Sequence, residues 1–126
     1  MTRGYRPVVA IGEAQHKATA WGFDLITLGT VKKIPFDFAI EDHSRIILVR
    51  VRRLKYGQYR AEDITRACAQ ELGEIRGRPL PSGISCELWV RGPARAWHRY
   101  LVMPDSVAEV LTEDAENAKY VRTETN

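Results

Sequence analysis

Ala14, Ala18 and Trp21 recur at helical spacing within residues 12–22, with Gln15, His16 and Lys17 placed around them. That pattern predicts a first helix, ended by Gly22. Residues 23–28 alternate in part and are closed by Gly29, which reads as a strand and then a turn carrying Lys32 and Lys33. A second strand is expected over 36–40. The polar cluster Glu41-Asp42-His43-Ser44 then predicts a hairpin into residues 46–53, a run β-branched enough to be a central strand. Residues 61–72 place Ile64, Ala67, Cys68 and Leu72 on one face, with Glu62 and Asp63 in the first turn and Gly73 just past the end. These are the marks of a second helix.

A loop with Gly77, Pro79, Pro81 and Gly83 precedes two more expected strands, about 85–90 and 97–103, joined at Gly92-Pro93-Ala94-Arg95. Trp89 and Trp97 fall in these adjacent strands, where a cross-strand pair packed on the core is the ordinary reason for tryptophan and base stacking the functional one. Pro104-Asp105-Ser106 is expected to start a short helix over 107–111. From Thr112 onward the chain is polar and acidic, which predicts a disordered tail. The expected organisation is therefore a single α/β domain over 1–111, with a mixed sheet of about five strands flanked by helices, and an acidic tail over 112–126.

Composition fits that organisation: of 126 residues, 44% are hydrophobic and 28% charged, the range of an ordinary globular domain. No stretch approaches the roughly 20 apolar residues of a membrane helix, and residues 1–6 lack the apolar run of a secretory signal. A cytoplasmic location without membrane contact is expected. Cys68 and Cys86 stand apart without zinc-ligand spacing, and His16, His43 and His98 are scattered, so no metal and no cofactor are assigned. Charge is uneven: residues 1–103 carry 17 Lys and Arg against 10 Asp and Glu, while residues 104–126 carry 2 against 6. Arg45, Arg50, Arg52, Arg53, Lys55 and Arg60 follow one another with no acid between them, a density that attracts phosphates.

Pro35-Phe36-Asp37-Phe38-Ala39-Ile40 sets an Asp at the second strand, Val49-Arg50-Val51-Arg52 lies in the third, and Glu13 lies in the first helix. With the order helix, strand, strand, strand, helix, strand, these residues resemble the αβββαβ, restriction-endonuclease-like core of the PD-(D/E)XK nuclease superfamily, including the Holliday-junction resolvases. The resemblance covers about residues 11–90. It implies that Asp37 and a Glu would hold a divalent cation while a Lys orients the attacking water. Here the Glu position is Arg50 and the Lys position is Arg52, so the motif is degenerate and Glu13, Asp37, Arg50 and Arg52 are vestigial positions. A fixed guanidinium where a metal ligand belongs reverses the electrostatics of the site. Residues 50 and 52 share a strand face, so both are expected to point into the former cleft, there to grip phosphate or to neutralise Asp37 and Glu13.

Three functions follow as expectations. The first is a catalytically inactive domain that binds nucleic acid, DNA above all, through Lys32, Lys33, Arg45, Arg50, Arg52, Arg53 and Lys55. The second is an active metal-dependent nuclease with migrated ligands, drawn from Glu13, Asp37 and Glu41 or Asp42, with Arg52 or Lys55 in the lysine's role. The third is a structural or partner-binding subunit, as a homodimer or beside an active nuclease, using the hairpin around Trp89, Gly92 and Trp97.

Overall fold

Three alanines four residues apart, Ala10, Ala14 and Ala18, are fully buried, and their small side chains let a helix lie close against a sheet. In the computed structural model, which describes residues 7–28, 34–42, 45–55, 59–93 and 96–110, this helix is α1, Val8–Ala20. It begins four residues before the expected Gly12. Its end is a Schellman motif: Gly22 takes φ +93°, Gly22 N donates to Thr19 O at 3.0 Å and Phe23 N to Ala18 O at 3.0 Å.

The sheet has six strands in sequential order: β1 Asp24–Ile26, β2 Phe38–Asp42, β3 Arg45–Arg53, β4 Ile84–Arg91, β5 Trp97–Val102 and β6 Val107–Val110. All neighbours are antiparallel except β3 and β4, which run parallel from Ile46↔Ile84 to Arg53↔Arg91. The parallel step is bridged by α2, Ala61–Ala67, and α3, Ala69–Arg76. Among the described residues no helix is long and apolar enough to cross a membrane.

Alternation along the strands divides the interior into two layers. Ile47, Val49, Val51, Phe38, Ile40, Trp89 and Trp97 pack with the α1 alanines on one face. Leu48, Leu88, Val90, Cys86 and Tyr100 pack with Ile64, Cys68, Leu72 and Ile75 on the other. Trp89 and Trp97 are buried, with ring centroids 6.5 Å apart, so they form a core pair and offer no apolar patch to a partner.

Two expectations are corrected here. The described part of the expected helix over 107–111 is not helical: Val107–Val110 is the sixth strand, paired from Val102↔Val107 to Arg99↔Val110. A turn closed by Met103 N to Ser106 O at 2.9 Å reverses the chain, and β-branched residues at both ends with Glu109 alone exposed fit a pleated edge. The helix over 61–72 is two helices that break at Cys68 (φ −113°) and run on to Arg76. Buried Ile75 prolongs the apolar face past Gly73, so Gly73 is a helix-interior residue rather than a stop. The tail over 112–126, with His43, Ser44, Ala94 and Arg95, lies outside the described residues.

The two glycines Gly73 and Gly92 have opposite surroundings. A Cβ on Gly92 would lie 2.9 Å from Tyr59 Oη and 3.0 Å from Cζ, whereas one on Gly73 meets nothing within 4 Å. Gly92→Ala is expected to cost about 1–3 kcal/mol by forcing the phenol aside, and Gly73→Ala to stabilise by about 0.5–1 kcal/mol. Urea unfolding midpoints check both signs.

Candidate functional site

Arg50 and Arg52 share a face of β3, as their spacing requires, and it is the face covered by α3. Arg50 is buried: Nη1 donates to Glu74 Oε1 at 2.9 Å and to Pro35 O at 3.1 Å. Arg52 Nη1 lies 2.7 Å from Glu71 Oε2, with its side chain 32% exposed. Glu71 and Glu74 stand one helical turn apart, so one face of α3 meets both arginines. The carboxylates that hold the β3 arginines are therefore Glu71 and Glu74, where Asp37 and Glu13 were the expected partners.

Asp37 sits just before the Phe38↔Val49 pair, alongside Arg50. Its N–H donates to Val49 O at 2.7 Å, and its Oδ2 accepts from Val51 N at 2.7 Å. The carboxylate thus extends the ladder beyond Phe38, the first paired residue of β2. Glu13 belongs to the opposite face, on α1, where Oε1 lies 2.7 Å from Arg91 Nε. The sheet separates Glu13 from Arg50 and Arg52, and period-two alternation is the reason. Glu41 and Asp42 close the far end of β2, and Asp42 Oδ2 accepts from Arg45 Nη2 at 3.0 Å. Among the described residues, no three His, Cys, Asp or Glu side chains converge so as to hold a metal ion.

The expected cations differ in what they can reach. Arg50 is enclosed, Arg52 is paired, and Arg45 is exposed but spanned by Asp42. Arg53 and Lys55 are exposed and, among the described residues, make no ion pair. Arg53 is the register partner of Arg91, and like charges set side by side across strands are destabilising. Glu13 compensates Arg91, which leaves the charge of Arg53 directed outward. Lys32 and Lys33 lie outside the described residues.

Just beyond this strand end, Leu54 N donates to Arg91 O at 3.0 Å, and Leu54 O accepts from Tyr59 Oη at 2.9 Å. The Tyr59 ring stacks on His98 with centroids 4.2 Å apart and planes within 1°. Tyr100 Oη donates to the carbonyl of Tyr59. Burial lowers the His98 pKa below the usual imidazole value, with Glu109 opposing the shift, and it raises that of Tyr100 well above the usual phenol value.

The most buried charges form a network that the sequence reading missed. Glu87 is fully buried and accepts from Trp89 Nε1 at 2.8 Å and from Arg99 Nε at 2.9 Å and Nη2 at 3.1 Å. The Arg99 guanidinium lies 5.2–5.7 Å from the ring centres of Trp21, Phe23 and Trp89, which accounts for a buried Nη1 without an acceptor. The signal was the lone acid in Ser85-Cys86-Glu87-Leu88-Trp89, since a charge inside a buried strand needs a partner.

Cys68 and Cys86 are buried free thiols, and burial pushes both up to about 11. Native protein is expected to resist thiol reagents at pH 8 until denaturant is added. Because the folded values exceed the unfolded ones, the thiols' contribution to stability is intact below about pH 9. It is lost as pH rises through about 11. A urea midpoint series from pH 8 to 11 should fall accordingly.

The arrangement is thus a β3 whose inner arginines are neutralised by α3 and whose outer end presents cations that make no ion pair among the described residues. A scan against protein-family models returns no match, and comparisons with curated proteins and with solved structures find no significant similarity.

Proposed function

We propose that the chain is a catalytically silent, nuclease-like α/β domain that binds nucleic acid at the end of β3. The observation that carries this reading is the exposed pair Arg53 and Lys55, without an ion pair among the described residues and set beside Arg91 at the end of two parallel strands. A phosphate placed there relieves the repulsion of neighbouring guanidinium groups and gains charge-assisted hydrogen bonds. The helix-strand order and the parallel crossover support the nuclease resemblance. Arg50 and Arg52 at the signature positions, held by Glu74 and Glu71, argue against metal-dependent cleavage. Their role in this reading is to fasten β3 to α3.

The test is fluorescence anisotropy with labelled single-stranded and duplex 20-mers at low salt, followed by incubation with Mg²⁺. Binding without cleavage is expected, and Arg53→Glu with Lys55→Glu should weaken it at least tenfold. Equal affinity in the double variant would overturn the assignment of the interface. A partner-binding subunit is the second reading, favoured by the enclosure of Arg50. No binding at low salt, together with a dimer in sedimentation, would select it.

A further inference from the structure

We infer that Tyr59, stacked on His98, is a shelf for an unpaired nucleobase, so that the strand-end cations hold the phosphates of a single-stranded nucleic acid. This rests on the nucleic-acid reading above and narrows its ligand. Three features carry it. First, the ring is fixed before any ligand arrives: its hydroxyl donates to Leu54 O at 2.9 Å, its own carbonyl accepts from Tyr100, and His98 backs one face at 4.2 Å. An aromatic surface ordered in advance loses little conformational freedom on binding. Second, the seat is cut to the ring: Gly92 borders the hydroxyl end of the phenol, and a Cβ there would come within 2.9 Å of Oη. Third, the stack stands at the end of β3 that carries the charge, with His98, paired with Val90, on the α2–α3 side of the sheet end and Arg53, paired with Arg91, on its α1 side. Leu54 follows Arg53 and precedes Lys55, and its N–H bonds to Arg91 O at 3.0 Å. Both rings remain half-buried rather than enclosed, while Trp89 and Trp97, the aromatics at the same sheet end, are buried in the core. A base stacked on an aromatic beside cations that track the backbone is the general chemistry of single-strand binding, and it is tolerant of sequence.

A ring that merely latched the loop after β3 would make affinity independent of bases. The experiment compares a labelled 12-nucleotide single strand with an abasic strand of the same length and charge, both titrated with the intact chain at fixed low salt. The base-bearing strand should bind roughly tenfold tighter. Tyr59→Leu and His98→Leu should each erase that difference, while Tyr59→Phe, which keeps the ring and loses only the hydroxyl, should retain it. Equal, salt-sensitive binding of both strands by the wild-type chain would overturn the shelf and leave the phosphate interface standing. Binding of neither strand would overturn the nucleic-acid reading itself, and the shelf with it. The wild-type comparison needs no variant, so poor folding of Tyr59→Leu would not obscure the result.

Discussion

Replacing Glu87 by alanine is expected to remove about 3–5 kcal/mol of folding stability, the cost of breaking a buried ion pair by deleting one partner. A domain of this size holds about 5–15 kcal/mol in all, so the variant should be largely unfolded at 37 °C. Glu87 is fully buried and Arg99 is 2% exposed, so water cannot replace what the carboxylate supplies. Without it, Arg99 keeps its charge under three aromatic rings, and the indole N–H of Trp89 loses its acceptor. Glu87→Leu combined with Arg99→Leu should cost far less than either single change, because no charge is then left unpaired. Urea denaturation of Glu87→Leu, Arg99→Leu and their combination forms a double-mutant cycle that measures the coupling. A loss under 1 kcal/mol for Glu87→Ala would show that water reaches the pair.

The second large effect is expected at Arg50. Arg50→Glu, half of the change that would rewrite Val49-Arg50-Val51-Arg52 toward the nuclease signature, sets a carboxylate where the guanidinium now meets Glu74 Oε1 at 2.9 Å and Pro35 O at 3.1 Å. Two acids and a carbonyl would then crowd a site in which the Arg50 side chain is only 10% exposed. A loss of about 3 kcal/mol or more should follow. Arg50→Met should cost about 1 kcal/mol, since the apolar stem is kept and Glu74, 43% exposed, can turn to water. The contrast matters for function as well: Arg50→Met should leave nucleic-acid affinity intact, because this cation does not face solvent. Differential scanning calorimetry of both variants checks the ranking, and equal stabilities would contradict the ion-pair account.

Several elements were legible in the sequence because a single physical signal governed each. The nine-residue β3 was readable from its β-branched run, and the α1 stripe from alanines at helical spacing. The shared face of Arg50 and Arg52 followed from alternation alone. What alternation could not disclose was which helix covers that face, since this depends on the crossover from β3 to β4 that brings α3 over the arginines. Glu71 falls within the helix expected over 61–72, whereas Glu74 lies past Gly73, the glycine that the pattern marks as its end. The edge strand β6 was missed for a different reason. Four residues are too few to separate period two from period 3.6, and Pro104-Asp105-Ser106 suits a turn as well as a helix start. Glu87 and Arg99 are twelve apart in sequence and meet only through the β4–β5 pairing.

In the proposed reading, the phosphate-binding charge of this domain lies at the end of β3, while the inner arginines are structural. The most direct measurement is the salt dependence of nucleic-acid affinity for the wild-type chain, for Arg53→Ala with Lys55→Ala, and for Arg50→Met. Each phosphate contact contributes a slope of about 0.7–0.9 in log affinity against log salt. The double variant should therefore lose about 1.5 of the slope, and Arg50→Met should lose none. A slope reduced by Arg50→Met and unchanged by the Arg53 and Lys55 double variant would contradict the account.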